Sequence, residues 1–244
     1  MAVYHLVRTV VADPPWPYND AIDAKSGIRG AATQYETMTV ADICAMFPRV
    51  CEEAGVRIDD AGAHLYLWTT NAFLEEAHRV ARAWGFKPKT VITWIKGRLV
   101  IDEHKMTGRP GKPTERPELA ETTAIGHHGR LTPRLVQQIG QGHYFANSTE
   151  HLLLAVRGKL RTARRGVPTA FIAPRPRKDS TTRRTKAGRA VSVDSHSEKP
   201  REAYDLIEIM SPSGYLEIFA RHTRPGWRAW GNEVGKLDRQ EREP

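Results

Sequence analysis

Short apolar runs alternate with stretches of helical period along the first hundred residues. Residues 5–12 end in Val10-Val11-Ala12, and the run predicts a first buried strand. Val40, Ile43, Cys44 and Phe47 then recur at helical spacing. Thr39 with Asp42 resembles a capping box at that helix's start, and Pro48 is expected to kink or end it. Residues 64–69, His-Leu-Tyr-Leu-Trp-Thr, predict a second buried strand. Asn71 is placed to cap a second helix, with Phe73, Ala77, Val80, Ala81 and Trp84 on its apolar face and Gly85 as its stop. Residues 90–95 predict a third strand ending at Lys96-Gly97. This β-α-β alternation predicts an α/β fold, a parallel sheet with helices on its faces.

From residue 98 to about 141 the periodicity is lost, and a long loop is expected. Strands are predicted again at 151–156 and within 167–173. Residues 175–195 have the composition of a disordered insertion. Ser197 and Pro200 suit the first turn of a helix whose core face is Ala203, Leu206, Ile207 and Met210. A strand at 215–220 follows, then a loop, then a short strand at 227–230. There is no internal repeat.

The 244 residues suffice for one large domain or two small ones. The expected organisation is a single domain over 1–236, with insertions at about 104–128 and 177–195 and a polar tail at 237–244. No apolar run reaches the length of a membrane span, and residues 1–8 hold no signal-peptide core. Two cysteines, Cys44 and Cys51, form neither a disulfide framework nor a zinc pattern, so a reducing, cytoplasmic setting is expected. His127-His128 has no further ligand at a sensible spacing, so no metal is expected. Charge changes the picture more. Residues 157–189 hold twelve Lys/Arg and one acid, a net +11; taking that from the chain's +9 leaves −2 for the rest. A near-neutral body with one strongly basic segment suits a polyanionic partner, and equally a solvated arginine-rich loop.

The stretch with most chemistry is Asp13-Pro14-Pro15-Trp16, directly after the first strand. Proline has no N–H and cannot continue a sheet ladder. Two in succession hold a carboxylate, carbonyls expected to lack partners and a flat ring at a strand's carboxyl end, an arrangement suited to the edge of an adenine. The same residues also suit a proline-stiffened strand exit whose Trp merely packs. Other strand ends carry polar groups too: Thr69 to Asn71, Lys96 and Arg221. In an open parallel α/β sheet, ligands bind outside the carboxyl ends of the strands, where these groups would converge.

At this point the chain resembles the MT-A70 type of N6-adenine methyltransferases. Eight collinear blocks carry the resemblance: Asp13-Pro14-Pro15-Trp16; Tyr35-Glu36-Thr37-Met38; Leu65 to Asn71; Thr93-Trp94-Ile95-Lys96-Gly97; Gly142-His143-Tyr144-Phe145 through Asn147 and Glu150; His196-Ser197-Glu198-Lys199-Pro200; Leu216 to Arg221; and Gly226-Trp227 to Gly231-Asn232-Glu233. The resemblance implies a Rossmann-like class I methyltransferase fold, circularly permuted, with two inserted mobile loops. It implies S-adenosyl-L-methionine as cofactor and explains why no glycine-rich loop opens the chain. It assigns Asp13, Pro14, Pro15 and Trp16 to catalysis. Asp13 and the Pro14 carbonyl would hold the two hydrogens of adenine N6, with Trp16 and Tyr35 stacking on or walling the base. Asp13, Pro15, Lys199, Arg221, Asn232 and Glu233 would hold the cofactor, Lys199 and Arg221 at its carboxylate and Asn232 and Glu233 at its ribose. Asn71, Lys96 and Glu150 would lie on the substrate side.

The implied function is methyl transfer to adenine N6 in DNA, with any duplex base flipped out. The alternatives are the same chemistry on RNA, a catalytically silent nucleic-acid-binding scaffold of this fold, and a small-molecule methyltransferase. No RNA-reading module is present, the opening motif keeps its acid and ring, and the basic segment wants a polyanion. The two insertions are expected to supply the grip on DNA.

Overall fold

A computed structural model describes residues 4–18, 37–101, 133–139, 144–176, 182–184, 190–192, 198–232 and 234. The chain divides into two compact units, one of residues 1–94, 150–170 and 203–244, the other of residues 95–149 and 171–202.

The first unit opens with β1 (His5–Val7) and β2 (Thr9–Ala12), where the hydrophobic pattern predicted a single strand. The split has a local cause. The N–H groups of Arg8 and Thr9 both donate to Gly214 O, at 2.9 and 3.1 Å. Gly214 lies at φ 96°, and a Cβ there would meet Leu6 O at 2.9 Å, so only glycine allows that approach. Helices α1 (Val40–Ala45) and α2 (Phe47–Glu53) follow. Thr39 caps α1 as expected, its Oγ1 accepting from Asp42 N at 3.1 Å. The chain breaks at Met46, and Pro48 sits in the first turn of α2 rather than ending a helix. Strand β3 (Val56–Ile58) pairs in parallel with β1. Strand β4 is Gly62–Thr69, and α3 is Leu74–Ala83, entered through a 3-10 turn at Asn71–Phe73. Asn71 does not cap it: the residue preceding that turn is Thr70, with no side-chain cap bond, and the Asn71 side chain turns instead to His151.

Strands β5 (Lys87–Ile101) and β6 (Pro133–Gln137) are followed by β7 (Thr149–Gly158), β8 (Ala170–Ala173), β9 (Thr182–Arg184) and β10 (Ala190–Ser192). Helix α4 (Arg201–Met210), β11 (Tyr215–Ile218) and β12 (Trp227–Trp230) complete the elements. In the first unit the strands lie in the order β12-β11-β2-β4-β7-β5. The pairs β12·β11, β11·β2 and β2·β4 are parallel. The all-parallel expectation fails at β7, which runs antiparallel to β4 from Gly62↔Gly158 to Thr69↔His151. Gly62 and Gly158 face each other in that register; a Cβ on Gly158 would meet Gly62 Cα at 2.8 Å.

Alternation gives the sheet two faces. Val10, Ala12, Leu65, Leu67, Leu153, Ala155, Leu216 and Ile218 join one apolar cluster with Ile43, Phe47, Val50, Ala77, Val80, Ala81 and Trp84 of the first three helices. The other face carries Thr9, Val11, His64, Tyr66 and Glu217 in matching register. In the second unit, β5 continues past Ile95 and pairs antiparallel with β6, Gly97 opposite Gln137. β9 and β10 form an antiparallel pair inside the stretch expected to be disordered. Most of the two expected insertions lies outside the described residues, as do His127-His128, Ser197 and the whole tail at 237–244.

Candidate active site

Three parallel pairings put four carboxyl ends on one edge of the first unit: those of β2, β4, β11 and β12. Asp13 leaves β2 there, Asn71 follows β4, Arg221 follows β11 and Asn232 follows β12. β7 runs the other way, so its start, with Glu150 and His151, lies on the same edge. Of the strand ends expected to converge, those carrying Asp13, Asn71 and Arg221 lie on this edge, where Glu150 and Asn232 join them; Lys96 belongs to the second unit.

The Asp13–Trp16 exit is tighter than its sequence suggested. Its carbonyls are not without partners: Trp16 N donates to Pro14 O at 2.9 Å, and Met38 N donates to Pro15 O at 2.9 Å. The first of these spans two residues, a γ-turn, repeated where Tyr18 N donates to Trp16 O at 2.9 Å. A carbonyl oxygen has two lone pairs, so Pro14 O keeps capacity for a second donor. Asp13 N reaches Ile218 O at 3.4 Å, tying the exit to β11. Trp16, expected to stack on or wall a base, is 3% exposed. Its indole stacks on Phe73 at 5.6 Å and 12°, and Nε1 donates to Trp68 O at 3.1 Å. The ring anchors the exit to the core. The half-buried Asp13 stands at the end of that anchored segment.

β11 leaves the sheet by a sharper bend. Phe219 is the one non-glycine residue at positive φ among the described residues, at 66°. That conformation is unfavourable for a bulky side chain and marks a constrained turn. Ala220 N then donates to Trp230 O at 3.0 Å, and Gly231 lies so close that a Cβ on it would meet Ala220 O at 2.8 Å. Arg221 follows directly on this bend, and Asn232 follows Gly231 after the end of β12.

Behind this bend lies a polar cluster that pattern reading did not single out. Tyr204 of α4 donates through its hydroxyl to Glu217 Oε1 at 2.6 Å. Arg224 Nε lies 3.7 Å from Glu217 Oε2, and its guanidinium carbon stands 3.5 Å over the Tyr204 ring. Burial pushes the Glu217 carboxyl up, and Asp13 adds to the rise, while the Tyr204 hydrogen bond, Arg224 and His222 oppose it. Tyr204 is pushed well above its ordinary value by burial and then by Glu217, with Asp13 contributing. Asp13 is thus electrostatically felt by both. The signal available in the sequence was a single acid inside an otherwise apolar or aromatic strand, Tyr215-Leu216-Glu217-Ile218. His151 was also missed as a bridge: its ring meets Asn71 Oδ1 on one side and Thr93 Oγ1 at 3.2 Å on the other.

Lys96 and Lys199 belong to the second unit, and each is 7% exposed. Lys96 N donates to Ser148 O at 2.8 Å, and Lys96 O accepts from Gln138 N at 2.7 Å. Lys199 lies two residues before α4. Tyr35 and Glu233 lie outside the described residues. Among the described residues no group of three or more His, Cys, Asp and Glu could hold a metal, and no helix is long and apolar enough to cross a membrane.

The chain is 24% identical over 242 residues to the Type II methyltransferase M.MunI of a Mycoplasma species, covering 93% of this chain and 77% of that one. It is 55% identical to human N(6)-adenine-specific methyltransferase METTL4 over 49 residues, 20% of this chain and 10% of that protein. It is 22% identical over 228 residues to human N(6)-adenosine-methyltransferase catalytic subunit METTL3, covering 92% of this chain but 28% of METTL3. Residues 7–133 and 128–233 match the family described as MT-A70, whose methyltransferases are S-adenosylmethionine-dependent, and the chain belongs to that family.

Proposed function

We propose that this chain transfers a methyl group from S-adenosylmethionine to N6 of adenine in DNA. The observation that carries the reading is the Asp13–Trp16 exit, fixed on the edge that also presents Arg221 and Asn232. S-adenosylmethionine carries a carboxylate, an ammonium, a sulfonium and a ribose diol. A guanidinium, a carboxylate and an amide on one edge are the donors and acceptors such a molecule needs. Arg221 and Lys199 would hold its carboxylate, Asn232 and Glu233 its ribose, and Asp13 and Pro15 would line its side of the site. When bound, it supplies an electrophilic methyl group.

The chain's own residues have to make a poor nucleophile competent. The lone pair of adenine N6 is delocalised into the ring. Asp13 accepts one amine hydrogen and the free lone pair of Pro14 O the other, so the nitrogen is held and polarised toward a tetrahedral shape. This is positioning with electrostatic stabilisation, and it requires rigidity at the exit. The two γ-turns and the Trp16 anchor supply that rigidity. Asn71 and Glu150, with Lys96 and Tyr35, are the proposed substrate-side contacts. The proposed fold history is the permuted order, catalytic strand early and cofactor strands late, with insertions at about 104–128 and 177–195.

DNA is favoured over RNA because the likeness to a Type II methyltransferase runs along 77% of that protein, against 28% of METTL3. The basic segment at 157–189 suits either polymer. The test is methyl transfer from labelled S-adenosylmethionine to duplex DNA, single-stranded DNA and RNA, followed by identification of the modified nucleoside. N6-methyladenine in DNA is expected; label only in RNA would replace the substrate, and label on another base would remove the reading. Asp13→Ala should lower transfer on the order of a thousandfold, the scale for losing one preorganised polar contact in a transition state, with Tm nearly unchanged.

A further inference from the structure

The Glu217 cluster lies one step behind the proposed site, and its position follows from register. Glu217 pairs with Val11, so the two side chains share a face of the sheet. Asp13, two residues beyond Val11, continues that face past the end of β2. Glu217 meets a different element at each carboxylate oxygen. Oε1 accepts from Tyr204 of α4 at 2.6 Å, and Oε2 faces Arg224 of the β11–β12 loop at 3.7 Å. The Glu217 side chain is 12% exposed and the Arg224 side chain 27%. Arg224 also covers the Tyr204 ring at 3.5 Å. The Tyr204 ring meets Trp227 edge-on at 5.6 Å, and Trp227 in turn stacks on Tyr215 at 4.5 Å and donates from Nε1 to Glu208 Oε1 at 2.7 Å.

We propose that Glu217 is a positioning residue for the methyl-transfer site: held by Tyr204, its carboxylate pins Arg224 and so fixes the bent loop from Phe219 to Gly226 that carries Arg221. This rests on the methyltransferase reading above. A hydrocarbon side chain at 217 would pack against Val11 and α4 at no desolvation penalty, so a carboxylate there is disfavoured unless its charge is used. Its use is to hold a cation on the loop that carries Arg221. Phe219 at positive φ is unfavourable for its side chain, so the loop's course has to be held by surrounding contacts, and the Glu217–Arg224 pair is one of them.

The charge of Glu217 then governs the loop. The groups facing it are Tyr204 on α4, Arg224 and His222 on the loop, and Asp13 at the end of β2. Burial is the largest influence and favours the protonated form; Asp13 acts in the same direction. Acidification through that raised range neutralises Glu217 and removes the counter-charge of Arg224. The loop is released and the grip of Arg221 weakens.

The experiment is calorimetric binding of S-adenosylmethionine to the full chain between pH 5 and 8, beside thermal melting and steady-state kinetics on an adenine-containing DNA duplex. Glu217→Gln keeps the Tyr204 hydrogen bond and loses only the charge. It should weaken cofactor binding roughly fivefold at pH 7.5, the scale of one partly exposed ion pair, while Tm does not fall. Its Kd should lose the wild-type acid limb, and KM for the cofactor should rise more than kcat falls. Arg224→Met should give the same Kd, and the double variant should be no weaker than either single one. A Glu217→Gln protein with the wild-type Kd and acid limb, or a double variant whose losses add, would overturn the inference. If the wild-type chain itself binds no S-adenosylmethionine, the methyltransferase reading falls instead, so the two failures are distinct.

Discussion

The two faces of the sheet in the first unit are stabilised on opposite terms. One shows α1, α2 and α3 a surface of hydrocarbon: Val10, Ala12, Leu65, Leu67, Leu216 and Ile218 are all fully buried. The other places Thr9, His64, Tyr66 and Glu217 among specific partners. Thr9 Oγ1 donates to Pro212 O at 2.8 Å; His64 and Tyr66 both meet Ser211 Oγ, at 2.7 and 2.8 Å. The same strands build both faces, because successive side chains point opposite ways. The hydrocarbon face is held by contact, so damage to it should scale with the volume removed. The polar face is held by pairs, so damage should scale with what is left unpaired, and it should depend on pH.

The largest expected stability effect tests the first half of that contrast. Trp16→Ala removes a buried indole, its stacking on Phe73 and its bond to Trp68 O, and should cost about 3–5 kcal/mol in urea unfolding of the full chain. Trp16→Phe keeps the ring contact and should lose much less. Equal losses in the two variants would mean that the Nε1 bond, not the hydrocarbon, holds the exit.

A smaller loss tests the second half. Ser211→Ala deletes a few atoms but takes a partner from both His64 and Tyr66. The expected cost is about 1–3 kcal/mol, the penalty for stranding buried polar groups. Adding Tyr66→Phe should recover part of it, since one of the stranded groups is then gone. Strict additivity of the two changes would show that the hydroxyls are not coupled.

Much of the hydrocarbon face was legible from the chain alone. The buried run of β4 and the helical period of α3 name many of its residues, and the Thr39 cap was found where its sequence put it. The polar face was not legible to the same degree. His64 and Tyr66 read as ordinary members of an apolar run, because what pairs them is Ser211, 145 to 147 residues away. Glu217 was visible as an odd acid in a strand, yet its partners Tyr204 and Arg224 are set by how α4 and the β11–β12 loop pack. The same limit applied to direction: β7 looks like any buried strand, and only its long-range pairing with β4 makes it antiparallel. At the opening motif the two prolines were read as leaving bare carbonyls. A γ-turn from Trp16 N engages one and Met38 N the other, and no local pattern reports a donor as distant as Met38. Legible in the sequence were the ends of β2, β4 and β11, since the residue following an apolar run is read locally and parallel strands gather those ends on one edge; Lys96, read in the same way, lies in the second unit.

The finest test of the comparison is the sign of two pH slopes on the polar face. His64 is fully buried, and burial pushes its imidazole below the ordinary 6.5, with the Leu160 carbonyl opposing. A neutral ring fits its neighbours: Nε2–H donates to Leu160 O at 3.3 Å, and Nδ1 accepts from Ser211 at 2.7 Å. With the native pKa depressed, the unfolded chain binds the extra proton first. The stability from His64 is complete above pH 6.5 and is lost as pH falls through the native value. Glu217 has the reverse sign. Its native carboxyl is raised above 4.5, so its contribution is complete below that pH and is lost as pH rises through the native value. Melting curves from pH 5 to 8 should therefore show His64→Gln losing a slope that falls toward acid, and Glu217→Gln losing one that falls toward base. Variants of Leu67 or Val10 on the hydrocarbon face should shift Tm by the same amount at every pH. If the His64 and Glu217 variants do the same, the polar face is held by contact after all, and the distinction between the faces is one of composition rather than of physics.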